Sequence, residues 1–184
     1  MLGDAPDFHI VPVGNAGNYT AYFRGYSEEL ARGESTKLPR MFGFQAAGSA
    51  PIVLGHVVKN PDTIASAIRI GNPASWELAT AARETSDGYF GAISDDKILE
   101  AHRILSAEVG IFVEPASAIS VAGLLERAEA GQIPKGATVV LTVTGHGLKD
   151  PSWALRAADG SDVQPTIVPV DTAEVASVLG LVRA

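Results

Sequence analysis

Short apolar runs alternate with longer amphipathic stretches along most of the chain. Runs rich in β-branched or aromatic residues, which are typical of strands, occupy residues 9–13, 40–45, 90–93 and 138–143. Apolar residues recur at helical spacing in residues 18–31, 50–57, 75–85, 95–109 and 116–130. This alternation predicts an α/β fold with a doubly wound parallel sheet.

The sequence also predicts the environment of the last strand and the organisation of the end of the chain. Residues 138–143 form a continuous β-branched run, which predicts a central parallel strand covered on both faces. We expect one α/β domain over residues 1–184, of which residues 156–184 form a carboxy-terminal tail with a helix that begins at Thr172.

Composition narrows the class of protein. The 184 residues are 46% hydrophobic and 19% charged, which is enough apolar material for one domain with a sizeable core. The net charge of −7 argues against non-specific binding to nucleic acid. The absence of cysteine excludes disulfides, thiolate metal sites and cysteine nucleophiles, and the four histidines lack the spacing of metal ligands. Without a signal peptide or an apolar run of about 18 residues, the expected location is cytoplasmic, with no membrane contact.

Two glycine-containing turns follow strands of the predicted sheet, where doubly wound folds bind ligands. The first turn is Gly14-Asn15-Ala16-Gly17-Asn18, and the second turn is Thr144-Gly145-His146-Gly147. The N–H groups of the first turn open a helix and suit a phosphate, although a plain tight turn with an asparagine cap has the same pattern. In the second turn, Thr144 offers a hydroxyl, and His146 is either a general acid or base or a surface histidine.

A third segment with polar side chains opens the apolar helix at residues 116–130. Glu114 precedes Pro115, which is suited to a first helical turn. Ser117 either satisfies nearby backbone groups or faces a substrate. The pattern alone leaves both interpretations open.

Taken together, five segments resemble the threonine synthase family of fold-type-II pyridoxal-phosphate enzymes. They are residues 12–18 (PVGNAGN), 45–48 (QAAG), 67–76 (AIRIGNPASW), 112–118 (FVEPASA) and 142–150 (TVTGHGLKD). The segments run in family order over roughly residues 8–155. The resemblance implies that the chain is most of the large domain of a tryptophan synthase β-like enzyme, and an incomplete one.

The resemblance also implies site residues, a cofactor and a reaction. Pyridoxal 5′-phosphate would be held through its phosphate by Gly14, Asn15, Ala16, Gly17 and Asn18, and through its pyridine nitrogen by the Thr144 hydroxyl. Asn15, Ile70, Gly71 and Ser117 would line the pocket or face the substrate. The family converts O-phospho-L-homoserine and water to L-threonine and phosphate.

One departure from the family pattern limits these expectations. The Schiff-base lysine of the family lies in a Ser-x-Lys-Asp motif, and none of the lysines here (Lys37, Lys59, Lys97, Lys135 and Lys149) has that context. The chain therefore looks like a carboxy-terminal half without its catalytic lysine, which predicts an isolated chain without activity. Its partner would be a second copy in a homodimer or the missing amino-terminal half. A serine/threonine dehydratase-like enzyme and a non-catalytic fragment that binds an anion or the cofactor are the alternatives.

Overall fold

The structure, a computed structural model, describes residues 2–156 and 161–181. Residues 1–153 form one compact unit and residues 154–184 a second. The strands are β1 (Phe8–Pro12), β2 (Arg40–Ala46), β3 (Tyr89–Ile93) and β4 (Val139–Leu141). The helices are α1 (Gly17–Ala31), α2 (Pro51–Leu54), α3 (Trp76–Thr85), α4 (Asp95–Ile104), α5 (Pro115–Glu129), α6 (Pro151–Ala154) and α7 (Thr172–Val178).

The four strands form one parallel sheet in the order β3-β2-β1-β4. The chain adds β2 and β3 on one side of β1 and then returns to place β4 on the other side. The strand order therefore reverses between β1 and β4, and this reversal creates the crevice in which such sheets bind ligands.

Helices cover both faces of the sheet, which confirms the doubly wound α/β class. On one face, α1 and α3 pack against a cluster that includes Val11, Tyr19 and Met41. On the other face, α4 and α5 pack against a larger cluster that includes Phe44 and Ile119. Side chains of one strand alternate between the two faces, so β1 is buried along its whole length.

The last strand differs from its prediction. β4 spans only Val139–Leu141, is half-buried, and lies at the edge of the described sheet, so the prediction of a central strand covered on both faces is wrong for this sheet. The β-branched run identifies the segment as a strand, but it carries no information about which neighbours pair with it. Thr142 continues the contact with β1, because its N–H donates to the Ile10 carbonyl (2.9 Å).

The second unit contains α7, which begins at Thr172 as the sequence pattern predicts. Asp171 caps this helix, since its carboxylate accepts the N–H groups of Ala173 (2.9 Å) and Glu174 (3.1 Å). A two-residue bridge between Arg156 and Asp162 precedes it.

Candidate functional site

The two turns predicted to carry the site lie together at the carboxyl ends of β1 and β4. They line one cavity of about 540 Å³, which lies in the range of small-ligand pockets. The cavity is lined by Pro12, Gly14, Asn15, Ala16, Gly17, Asn18, Ala67, Ile68, Glu114, Ala116, Thr144, Gly145, His146 and Lys149.

The first turn presents free backbone donors to this cavity. In the part of the chain that the structure describes, the N–H groups of residues 15–18 donate to no other protein group. Ala16, the residue before α1, has a left-handed backbone (φ 63°) and makes no side-chain cap. The start of α1 therefore offers the unpaired N–H groups and the positive dipole end that favour an anion.

The two asparagines brace this turn from outside. The Asn18 side chain donates to the Pro12 carbonyl (2.8 Å) and accepts the N–H of Tyr19 (2.8 Å). Asn15 accepts the Ala74 N–H on its side-chain oxygen (3.3 Å) and the Ser75 N–H on its carbonyl (3.1 Å). These bonds hold the turn against β1 and the 74–75 segment, so its backbone N–H groups are left as the donors for a ligand.

The second turn is organised by Ser117, which is fully buried in the first turn of α5. The Ser117 hydroxyl oxygen accepts the N–H groups of Thr144 (3.0 Å) and Gly145 (2.7 Å) and lies 2.7 Å from the Thr144 hydroxyl oxygen. The Gly145 carbonyl in turn accepts the N–H of Glu114 (2.9 Å). Thr144 is exposed to the cavity, and its hydroxyl is held in place from behind.

Glu114 and Lys149 also line the cavity, although the sequence pattern assigned them no ligand role. The Glu114 side chain is 5% exposed and pairs with Lys149, whose amino group lies 3.7 Å away. A side chain at Gly145 would overlap the Glu114 carboxylate, so glycine is required where this acid passes the second turn. The signal available in the sequence was a glutamate before a proline at a helix start, which is equally typical of an ordinary cap.

The remaining predicted site residues lie at different distances from the cavity. Ser117 lies behind Thr144 and is not among the lining residues; Ala67 and Ile68 line the cavity, whereas Ile70 and Gly71 do not. The Ile70 side chain packs where a side chain at Gly14 would lie, 3.2 Å from that position. His146 lines the cavity, and its Nδ1 accepts the N–H of Leu148 (3.2 Å). The roles assigned to these residues by resemblance stay predictions.

His9 couples the strands that carry the two turns. It lies on β1, and its Nε2 is 2.7 Å from the Thr142 hydroxyl, two residues before Thr144. The ring packs on Tyr22 and Tyr26, at centroid distances of 4.7 and 5.6 Å. Burial lowers the pKa of His9 from 6.5 to about 4, because the charged imidazolium loses its hydration.

Other kinds of site find less support among the described residues. Their His, Asp and Glu side chains form no group of three or more that could hold a metal ion. None of the described helices is both long enough and apolar enough to span a bilayer.

Comparison with known proteins identifies the class. Residues 1–145 match the family described as pyridoxal-phosphate dependent enzyme, and the chain belongs to this family. Two solved structures share the fold, each covering 77% of this chain: a threonine deaminase from T.th. (TM-score 0.58, 22% identity, 46% of that chain) and an L-serine ammonia-lyase from Rhizomucor miehei (TM-score 0.63, 21% identity, 45% of that chain).

Several curated relatives with about half of their aligned residues identical carry one specific name, threonine synthase. The chain is 55% identical over 181 residues to threonine synthase of Mycobacterium bovis, covering 98% of this chain and 49% of that protein. It is 52% identical over 180 residues to threonine synthase of Synechocystis sp. (98% and 46%), and 48% identical over 162 residues to that of Methanocaldococcus jannaschii (84% and 40%). The chain thus spans about half the length of the curated relatives it matches.

The cavity fits the cofactor of this family in two respects. The free N–H groups at the start of α1 suit a phosphate, and the Thr144 hydroxyl across the cavity suits a polar ring atom. Of the five lysines, only Lys149 lines the cavity, and it is paired with Glu114. The described residues therefore offer groups for binding the cofactor, without a lysine in the context that the family uses for its covalent attachment.

Proposed function

We propose that this chain supplies the cofactor-binding part of a threonine synthase, which converts O-phospho-L-homoserine and water to L-threonine and phosphate. The observation that carries the proposal is the cavity at the strand-order reversal, in which free N–H groups at the start of α1 face the Thr144 hydroxyl. The high identity to threonine synthases supports this activity over others of the fold.

Each residue has a definite task in this proposal. Gly14, Asn15, Ala16, Gly17 and Asn18 bind the cofactor phosphate through backbone N–H groups, and the dipole of α1 stabilises its charge. Thr144 orients the ring by a hydrogen bond to its nitrogen, and Ser117 fixes the position of Thr144. Pyridoxal phosphate, when bound, supplies an electron sink that stabilises carbanions of its amino-acid substrate.

Glu114 and Lys149 belong to the same cavity and complete its charge balance. A buried carboxylate that faces an anionic ligand needs a compensating cation, and Lys149 provides it at 3.7 Å. In this proposal Lys149 compensates the Glu114 charge inside the cavity. Ile70 acts through packing behind the first turn, since its side chain occupies the space next to Gly14, whereas Gly71 lies against the Val58 carbonyl.

The proposal requires groups that this chain does not offer in its cavity. Covalent attachment of the cofactor needs a lysine with a free amino group, and the lysine in this cavity is ion-paired. We therefore propose a partner with the missing lysine, either a further segment of the same protein or a separate chain. A cytoplasmic location and a homodimer are further expectations of the same proposal.

The test is co-production of the chain with the part of the Mycobacterium bovis threonine synthase that it does not match. L-Threonine and phosphate formed from O-phospho-L-homoserine are the readouts, with the chain alone as the baseline. We expect no product from the chain alone and product from the complex. Formation of a 2-oxo acid from serine or threonine instead would favour a dehydratase. A complex that neither binds pyridoxal phosphate nor forms a product would favour the non-catalytic alternative.

A further inference from the structure

The His9 side chain connects the helix that starts at the first turn with the strand that leads into the second turn. His9 lies on β1 and is 3% exposed, with its ring packed against Tyr22 and Tyr26 of α1. Its Nε2 atom lies 2.7 Å from the hydroxyl oxygen of Thr142, one residue beyond the end of β4. Its Nδ1 atom is buried without a hydrogen-bond partner in the described part of the chain. The bond to Thr142 is therefore the polar contact that orients this buried ring.

The sheet by itself holds β4 less firmly than the other strands. β4 pairs with β1 over three residues, Val139–Leu141, and no second strand among the described residues pairs with it. Beyond β4, the Thr142 N–H still donates to the Ile10 carbonyl (2.9 Å). In the described residues, Val143 and Thr144 make no backbone hydrogen bond to β1. Strand pairing therefore ends before the second turn begins and does not fix its distance from the first turn.

Contacts from both faces of the sheet position the second turn instead. On the face covered by α5, Ser120 donates to the Thr142 carbonyl (2.9 Å), and Ser117 accepts the N–H groups of the second turn. On the opposite face, covered by α1, the Thr142 hydroxyl bonds to His9. The first turn forms the start of α1, so His9 relates the second turn to the same helix that presents the first.

We propose that His9 is a positioning residue that sets the separation between the two turns through Thr142. A ligand with an anionic group at the first turn and a polar group at the second must match this separation, so the cavity selects ligands by the distance between the two groups. The proposal rests on the proposed function for the class of ligand, a phosphorylated aromatic ring compound. His9 does not line the cavity, so its effect is confined to ligands that contact both turns.

The experiment compares a ligand that fits one turn with a ligand that spans both. Inorganic phosphate is the first, and pyridoxine 5′-phosphate is the second, because it has the ring and the phosphate of the cofactor without the aldehyde that reacts with surface lysines. Both dissociation constants are measured by calorimetric titration of the full chain at pH 7.5, where the His9 ring is neutral. In the unmodified chain we expect pyridoxine 5′-phosphate to bind more tightly than inorganic phosphate.

Two substitutions of Thr142 form a matched pair. Thr142→Val keeps the shape of the side chain and removes the hydroxyl, whereas Thr142→Ser keeps the hydroxyl. We expect Thr142→Val to weaken binding of pyridoxine 5′-phosphate about tenfold, the equivalent of one hydrogen bond, and to change phosphate binding by less than about twofold. Thr142→Ser should bind both ligands as the unmodified chain does. His9→Leu should reproduce the loss seen in Thr142→Val, and the double variant should lose no more than either single variant, because both remove the same contact.

Tyr19→Phe is the control for a general loosening of α1. The Tyr19 hydroxyl is buried and donates to the Met41 carbonyl on β2 (2.8 Å), so this variant removes a hydrogen bond between α1 and the sheet without affecting Thr142. It should leave the ratio of the two dissociation constants unchanged. Circular dichroism at the assay temperature shows whether each variant is folded. If His9→Leu is not folded, the comparison of Thr142→Val with Thr142→Ser decides the matter.

The outcomes separate this inference from the function on which it rests. Equal losses for both ligands in Thr142→Val, or no loss for either, would overturn the positioning role of His9 while leaving the ligand site in place. The same conclusion would follow if Thr142→Ser lost as much affinity as Thr142→Val. An unmodified chain that binds neither compound, or binds pyridoxine 5′-phosphate no more tightly than phosphate, would contradict the proposed function, and this inference with it.

Discussion

The first turn leaves the N–H groups of residues 15–18 without a partner among the described residues, whereas the second turn has those of Thr144 and Gly145 bound to Ser117. Both turns contain glycine, both follow a parallel strand, and both line the same cavity. They nevertheless differ in where their backbone donors point. In the first turn, hydrogen bonds of the asparagine side chains hold the loop in place. In the second turn, the Ser117 hydroxyl of α5 accepts the backbone N–H groups.

The difference explains how one cavity serves two kinds of ligand group. An anion is bound by donors that the protein leaves unsatisfied, because any internal partner would compete with it. A single hydroxyl recognises a ring atom only when its position is fixed, and bonds to its own backbone fix it. Glycine has a different purpose in each case. At Gly17 no atom lies near the position of a Cβ, while at Gly145 the Glu114 carboxylate occupies it.

The largest expected effect is the loss of anion binding at the first turn. Gly17→Asp places a carboxylate among the free N–H groups, so we expect no detectable binding of pyridoxal phosphate by titration. Stability should change little, because an acidic residue in the first turn of a helix interacts favourably with its dipole. Gly17→Ala is the control and should retain binding, since its methyl group meets no atom within 4 Å. Equal binding by the Asp variant would show that the phosphate lies elsewhere.

The next effect concerns the strands that hold the two turns together. The folded pKa of His9 is about 4 and its unfolded pKa about 6.5, so between these values the unfolded chain binds the extra proton. The buried, neutral His9 therefore leaves the free energy of unfolding unaffected above pH 6.5. As the pH falls from 6.5 toward 4, protonation of His9 in the unfolded chain lowers the free energy of unfolding. The shift corresponds to a loss of roughly 3 kcal/mol as an upper limit.

Urea denaturation at pH 7, 5.5 and 4 measures this loss. In His9→Leu, the part of the pH dependence of the free energy of unfolding that His9 causes between pH 6.5 and 4 should disappear. The variant also loses the contact with Thr142, which lowers its stability at every pH. A His9→Leu variant with the same pH dependence as the unmodified chain would assign the titration to other groups.

A smaller effect is expected when alanine replaces Gly145 or Gly17, because the two substitutions should differ in their cost in stability. Gly145→Ala forces Glu114 or the second turn to move, and overpacking of this kind costs about 1–3 kcal/mol. Gly17→Ala, by contrast, should stay within about 0.5 kcal/mol of the unmodified chain. The two free energies of unfolding, measured side by side, provide the comparison. Equal costs for both variants would mean that the second turn is not built around Glu114.

The pattern of residues predicted the elements of the fold well, because hydrophobic periodicity and capping are local. The helix predicted to begin at Thr172, for example, is α7, and the Asp171 carboxylate accepts the N–H groups of Ala173 and Glu174 at its start. The short, edge position of β4 was not predictable, because strand neighbours are set by the whole topology. The two turns were identified from their positions after strands. The bonds from Ser117 to Thr144 and Gly145 join residues 27 and 28 positions apart, so no local pattern reveals them.

A ¹H–¹⁵N NMR titration of the full chain with inorganic phosphate and then with pyridoxal phosphate tests whether the first turn binds the phosphate group. We expect phosphate to shift the amide signals of residues 15–18, whose N–H groups have no partner among the described residues, and to leave those of Thr144 and Gly145 in place. Pyridoxal phosphate should shift the first turn in the same way and the second turn in addition. Signals of residues 15–18 that stay unchanged with both compounds would contradict the assignment of this turn as the phosphate site.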